Sequence, residues 1–445
     1  MTDLAQFVHR QSQTVAAIYA AYKRTGDAEQ PRGYLGASII GHPCERYLWY
    51  CFRACCQSDF SGRMYRLFST GDHEEWRFAS DLRAIGCIVH EVDPDTGAQF
   101  AVSDFGGHFG GHLDGCALGI PEAPKTWHVT EYKTHNAKSF AALVKEGVKS
   151  SKPQHYAQMQ VYMHLTGMTR AIYLAVNKDT DELYSERVRY DKKEAEALVE
   201  RAKRVIFSVE PPERIAKRAD WYQCGYCSAH SICWPAGVGP ALSIVAINCR
   251  QCCHATPTLD GNARWVCERH NRGLSTSDQA RPCEDHLVLP GLLAGFAEPM
   301  DYGKDEDGNA WIDFQNNDCP GAAPPWRHGR CEGAFSTKEL TTLPASAITD
   351  PSVVQAKRLF GAVATGFCAD DILHRYPESD SRIIWEGRAS KLCEEWKEHY
   401  AEDLLSLTPI AKCDATEYKA AEYSGGRVAI LYLLTKNAEI REGVE

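Results

Sequence analysis

The stretch from Gly107 to Tyr162 constrains this chain most. It reads GHFGGHLDG, later WHVTEYKT, then KPQHYAQMQVYM. The middle piece has strand periodicity, so Glu131 and Lys133 point to one side. Asp114 closes an earlier apolar-alternating run, and a neighbouring strand can carry it to the same face. Two carboxylates and a lysine on one sheet face make a site for a hard divalent cation with a water beside it. That is the chemistry of metal-dependent phosphodiester hydrolysis. Glu-x-Lys alone also fits an ordinary surface ion pair, so the flanking segments must decide.

Those segments predict an α/β layer architecture, a sheet flanked by helices. Helices are expected over 1–25, 38–53 and 64–85, the last carrying Glu75. Strands follow at 87–92, 99–103, 109–118 and 127–134. Helices over 137–147 and 153–166, strands over 171–177 and 183–189, and a helix over 191–208 complete the unit. Further on, 310–314 reads as a strand, 351–405 as helices and 427–434 as a buried strand.

The order of these pieces resembles the PD-(D/E)XK nucleases, whose core is Asp…Glu-x-Lys. Gly71-x-x-x-Glu75 stands where the RecB-like branch, which includes the lambda-type exonucleases, places an acidic or histidine helix. Gln158-x-x-x-Tyr162 resembles that branch's Gln-x-x-x-Tyr helix. The resemblance covers roughly residues 30–235. It implies a mixed sheet flanked by helices and a Mg²⁺- or Mn²⁺-dependent deoxyribonuclease. Asp114, Glu131 and the Tyr132 carbonyl would hold the metal, helped by Glu75. Lys133 would orient the attacking water or stabilise negative charge. Gln158 and Tyr162 would position the strand, and Lys152 would contact phosphate. The expected activity is exonucleolytic, in DNA recombination, repair or processing, and of phage or prokaryotic type. Two other readings remain: a non-catalytic DNA- or protein-binding module on the same fold, and a nuclease subunit working with a helicase or annealing protein.

A chain of 445 residues with 19 cysteines suggests several domains and metal sites rather than disulfides. We divide it into a nuclease domain over 1–235, a zinc-binding module over 240–290 and an α+β region of unknown role over 291–445. Cys224, Cys227 and Cys233 are closely spaced and need a fourth ligand. With Cys44 ahead of the core they resemble the iron–sulfur nucleases of the AddB type and the CRISPR adaptation nucleases. That layout implies a structural [4Fe–4S] cluster, with zinc the alternative. Cys249-x2-Cys252 and Cys267-x2-His270 have zinc-ribbon spacing. There Cys249, Cys252 and Cys267 form the common core, and His270, Cys283 or His286 is the fourth ligand. Cys319 and Cys331 hint at a further site, while Cys87, Cys116 and Cys368 read as buried small residues.

Charge divides unevenly. Residues 1–235 carry 28 Lys and Arg against 28 Asp and Glu, so the net −10 falls on the remainder, 21 against 31. Phosphate pairing is therefore expected of the first half, with a local patch at Arg250, Arg264, Arg269 and Arg272 in the zinc module. No apolar stretch reaches membrane-spanning length and the N-terminus lacks a signal-peptide core, so the expected location is cytoplasmic.

Overall fold

The computed structural model describes residues 12–29, 32–235, 239–317, 325–331, 333–343, 345, 348 and 354. The expected helices over 351–405, the strand over 427–434, Cys319 and Cys368 lie outside the described residues. The chain forms two compact units. The first runs to Ser208 and also holds Pro212–Ile215 and Pro257–Val266. The second holds Val209–Pro211, Ala216–Thr256 and the chain from Cys267 onward.

In the first unit, helices α1 (Gln13–Asp27), α2 (Glu45–Phe52) and α3 (Gly62–Ala84) precede the main sheet, with the short strand β1 (Leu35–Gly36) between α1 and α2. The main sheet is five-stranded, in the order β2-β5-β6-β7-β8. Its strands are β2 (Ile88–His90), β5 (Gly115–Leu118), β6 (His128–His135), β7 (Arg170–Asn177) and β8 (Leu183–Arg189). Only β6 and β7 pair in parallel, and helices α4 (Ala137–Ser151) and α5 (Pro153–Thr166) connect them. Parallel neighbours need such a crossover. Helix α6 (Lys192–Phe207) follows β8. Local chemistry fixes the helix ends: Asn136 accepts from the Ser139 N–H at the start of α4 (2.8 Å), and Asp191 from the Glu194 N–H in α6 (3.2 Å). Pro153 opens α5, and Gly167 at φ 74° closes it.

The expected strand over 109–118 is in fact two. Strand β4 (Phe109–His112) lies in a separate sheet, order β1-β4-β3, with β3 at Ala101–Asp104. The chain breaks at Leu113–Asp114 and enters β5 at Gly115, whose φ of 149° and closeness to the His90 carbonyl (2.5 Å from a built Cβ) require glycine. That break is what presents Asp114 at a strand end. One face of the main sheet is sealed by α3. Phe78, Leu82, Val89, Ala117, Tyr132, Ile172 and Val176 form a buried cluster there, with Phe78 stacked on Tyr132 at 5.4 Å. Alternation along β6 then sends Glu131, Lys133 and His135 to the opposite face.

Pro257–Val266 packs within the first unit. Trp265 is fully buried and stacks on Phe52 at 5.7 Å, while His108 Nε2 lies 2.9 Å from the Thr258 carbonyl. The flanking strands β9 (Ala255–Pro257), β10 (Trp265–Cys267) and β11 (Arg272–Leu274) form a small sheet. The second unit has short helices α7 (His230–Cys233), α8 (Thr276–Gln279) and α9 (Thr337–Thr342). Its antiparallel sheet has β12 (Ala297–Lys304), β13 (Ala310–Asn316) and β14 (Trp326–Gly329), with Phe314 and Trp326 stacked at 4.8 Å in its core. Strand β13 contains the expected run 310–314. Among the described residues no helix is long and apolar enough to cross a membrane.

Candidate active site

Strands β5 and β6 pair with Gly115 opposite Thr130, so the residue before Gly115 arrives beside Glu131 and Tyr132. Asp114 Oδ2 accepts the Tyr132 N–H at 2.9 Å. Lys133 Nζ stands 2.6 Å from Glu131 Oε1 and 3.8 Å from Asp114 Oδ2, and donates to the Tyr132 carbonyl at 2.8 Å. The three side chains expected on one face are therefore together. Glu131 has no exposed surface, and Lys133 is the cation paired with it.

Electrostatics tie Glu75 to the same site. Burial and the Asp114 charge push its carboxyl up to about 7, against the pull of Lys133. Glu131 is also pushed up to about 7, first by burial, with Lys133 opposing and Asp114 adding to it. Burial disfavours the charged form of Lys133, yet Glu131 and then Asp114 outweigh it and hold its pKa above the ordinary lysine range.

Helix α5 supplies the other wall. Gln158 and Tyr162 are both buried; the Gln158 amide donates to Tyr162 Oη at 3.3 Å, and Tyr162 donates to the His112 carbonyl at 2.8 Å. A Cβ on Gly111 would come within 2.6 Å of Tyr162 Oη, so this glycine allows the helix its close approach. Lys152, just before α5, is near enough for its charge to lower the pKa of both His135 and His155.

Sequence reasoning missed four residues. Tyr173 Oη lies 2.9 Å from His135 Nε2 and 2.9 Å from His155 Nδ1, and Ser139 Oγ lies 3.2 Å from His135 Nδ1. Burial, then Lys152 and Lys133, pushes His135 down to about 4. Burial, then Lys133, His135 and Lys152, pushes His155 down to about 3. Both rings are thus neutral at pH 7, and the Tyr173 hydroxyl donates to one while accepting from the other. The signal was present: His135 continues the Glu131/Lys133 alternation, and His155 precedes Gln158 by three residues on one helix face. Tyr173 pairs in register with Glu131. Tyr173→Phe leaves the buried His135 and the half-buried His155 each short of a partner. It should lower unfolding stability by about 1–3 kcal/mol, measured by urea denaturation; an unchanged midpoint would contradict the network.

The cysteine expectations fare unevenly. Cys44 caps α2 in the first unit, its N–H donating to His42 Nδ1 at 3.1 Å. Cys224, Cys227 and Cys233 lie in the second unit, the first two on successive turns leading into α7 and Cys233 at its end. Among the described residues one group brings its ligand atoms within 4.8 Å of one another: His270, Cys283 and Asp285. His286, expected as a possible zinc ligand, is occupied otherwise, with Nδ1 2.9 Å from Thr337 Oγ1 and Nε2 3.0 Å from the Asn248 carbonyl. Of the expected arginine patch, Arg264 and Arg272 are exposed, and Arg264 pairs with Asp260 at 3.3 Å. Arg250 is buried, and Arg269 is committed to the Gly308 carbonyl, Asn309 and Asp285.

No curated protein is matched by sequence. Solved structures to which the chain is similar include LHK-Exo, an alkaline exonuclease from Laribacter hongkongensis. It is 17% identical over 43% of this chain and 90% of that one, with a TM-score of 0.27. LHK-Exo in complex with dAMP matches at 18% identity over 43% and 90%, TM-score 0.30. SSO0001 matches at 17% identity over 51% and 98%, TM-score 0.32. Residues 65–234, which span Glu75, Asp114, the Glu131–Lys133 strand and the Gln158/Tyr162 helix, match the family model of the PD-(D/E)XK nuclease superfamily. This segment, with its mixed sheet and its carboxylate–lysine face, is a PD-(D/E)XK nuclease-superfamily domain.

Proposed function

We propose that the first unit is a metal-dependent deoxyribonuclease that trims DNA from its ends, serving recombination, repair or DNA processing. The observation that carries this reading is Glu131, a fully buried carboxylate that shares one lysine, Lys133, with Asp114 on the same sheet face. Two carboxylates facing one lysine leave negative charge in a buried place, and a divalent cation would balance it. The donors at hand are the carboxylates of Asp114 and Glu131 and the Tyr132 carbonyl, all hard oxygens that suit Mg²⁺ or Mn²⁺. Such an ion supplies Lewis acidity at the phosphate and acidifies a neighbouring water.

The chain's own groups divide the remaining work. Lys133, held protonated by its two carboxylates, acts as a fixed cation toward developing negative charge rather than as a proton acceptor. Glu75, near 7, is matched to accept a proton at neutral pH. Gln158 and Tyr162 brace the wall against the His112 carbonyl, and Lys152 offers a phosphate contact. The end-trimming assignment is supported by the Gln158-x-x-x-Tyr162 helix that follows the lysine strand.

The test compares linear with covalently closed DNA, in Mg²⁺, Mn²⁺ or EDTA, for wild type and Lys133→Ala. The expected result is nucleotide release from linear DNA alone, dependent on metal and lost in the variant. Cleavage that persists in EDTA or in Lys133→Ala sinks the assignment. Tight DNA binding without turnover in both metals would favour a non-catalytic DNA-binding module instead.

A further inference from the structure

The second unit brings together three metal-ligating side chains that the nuclease reading leaves unused. His270 lies in the connection between β10 and β11, where Asn271 adopts a φ of 43°. Asparagine tolerates that left-handed conformation better than most residues. Cys283 and Asp285 come from a second turn, closed by the His286 N–H donating to the Cys283 carbonyl at 3.2 Å. His270 Nε2 stands 3.4 Å from Cys283 Sγ and 3.5 Å from Asp285 Oδ2. The three ligand atoms all lie within 4.8 Å of one another.

Those separations have a chemical meaning. Zinc bonds of about 2.0–2.1 Å to nitrogen or oxygen and about 2.3 Å to sulfur give tetrahedral ligand edges of about 3.3–3.6 Å. Both distances from His270 Nε2 match such edges within a few tenths of an ångström. A thiolate, an imidazole and a carboxylate are also a mixed donor set that suits zinc rather than Mg²⁺ or Ca²⁺.

Asp285 is anchored for the role. Its side chain is only 10% exposed, and Oδ1 accepts from Arg330 at 2.9 Å while Arg269 reaches Oδ2 at 3.5 Å. Arg269 is itself tied to the Gly308 carbonyl at 2.8 Å and to Asn309 Oδ1 at 2.9 Å. Arg330 also pairs with Glu284 at 3.1 Å. Outer partners of this kind fix the orientation of a ligating carboxylate. The plainer reading is an ion pair between His270 and Asp285. It gives the Cys283 sulfur no role, and Asp285 already has two guanidinium partners without a charged imidazole.

We infer that His270 Nε2, Cys283 Sγ and Asp285 Oδ2 hold one zinc ion whose fourth position takes a water. His270 and Cys283 are exposed, so that position opens to solvent. Three protein ligands and an open position set this site apart from a closed structural one. It also departs from the spacing-based expectation: Asp285 enters, and Cys249, Cys252, Cys267 and His286 stand outside. Cys252 Sγ accepts the Leu287 N–H at 3.4 Å, and both nitrogens of His286 are bonded. The inference is independent of the nuclease reading, since no group of the first unit enters it.

The experiment is metal analysis of the purified full chain beside Cys283→Ser, His270→Ala and Cys249→Ser, with alkylation of each cysteine mapped by peptide mass spectrometry. Cys283 and His270 are exposed, so replacing them leaves the core intact. Cys283→Ser and His270→Ala should each carry about one zinc per chain less than wild type. Cys249→Ser should keep the wild-type content. In wild type, zinc should block alkylation of Cys283 and a chelator should restore it; His270→Ala should lose that protection. Alkylation of Cys283 that ignores zinc overturns the assignment, as does wild-type zinc content in Cys283→Ser or His270→Ala. Loss of the same zinc from a folded Cys249→Ser protein would also overturn it, by placing the ion among the other thiols.

Discussion

Glu131→Gln should cut metal-dependent cleavage of linear DNA by about 10³-fold or more while leaving the protein folded. The glutamine has nearly the same shape and fills the same fully buried space. It removes the carboxylate proposed to hold the metal and one of the two anions facing Lys133. The metal-free variant should be no less stable than wild type at neutral pH, because the fold disfavours the ionised form of Glu131, and Asp114 stays to balance the lysine. Lys133→Met should behave differently. It leaves Asp114, Glu131 and Glu75 facing one another without their cation, so the metal-free protein should melt earlier and regain stability when Mg²⁺ is added. The checks are initial rates on end-labelled linear DNA and thermal melts with and without Mg²⁺. A Glu131→Gln protein that cleaves at the wild-type rate would remove Glu131 from the mechanism. A rate lost only because the variant unfolds would show as a collapsed melt, and the two results are separable.

Much of the first unit was legible because its signals are local. Helix α5 begins at Pro153 and ends before Gly167, as read, and β8 occupies the expected residues 183–189. Glu131 and Lys133 share a face because strand alternation leaves no other choice. What was not legible depends on distant partners. The break at Asp114 follows from Gly115 passing the His90 carbonyl, a contact between strands. The roles of His135, His155 and Tyr173 exist only once β6, β7 and α5 are packed together. Trp265 lies amid a cysteine-rich stretch, yet it is buried among Phe52, Arg53 and His108, which no period in the sequence announces. Spacing alone likewise left His286 eligible as a ligand, and only its bonds to Asn248 and Thr337 remove it.

Added Mg²⁺ or Mn²⁺ should stabilise the protein much more at pH 8 than at pH 5.5. Glu75 and Glu131, both raised from the ordinary 4.5 to about 7, set this dependence. A carboxyl whose folded pKa exceeds its unfolded value binds more protons when folded between the two. The metal-free protein therefore loses stability as pH rises from about 4.5 through about 7, and levels off above. For Glu131 the cost is on the order of 1–3 kcal/mol; Lys133, raised above the ordinary lysine range, stays charged throughout this window and adds no slope. A divalent cation must displace those protons, so its apparent affinity climbs over the same interval and flattens above it. The measurement is the rise in melting temperature at one fixed metal concentration, taken across this pH range. Glu131→Gln should lose most of the rise at pH 8. An increment that is independent of pH, or one that survives intact in Glu131→Gln, would mean that the cation binds away from this carboxylate face.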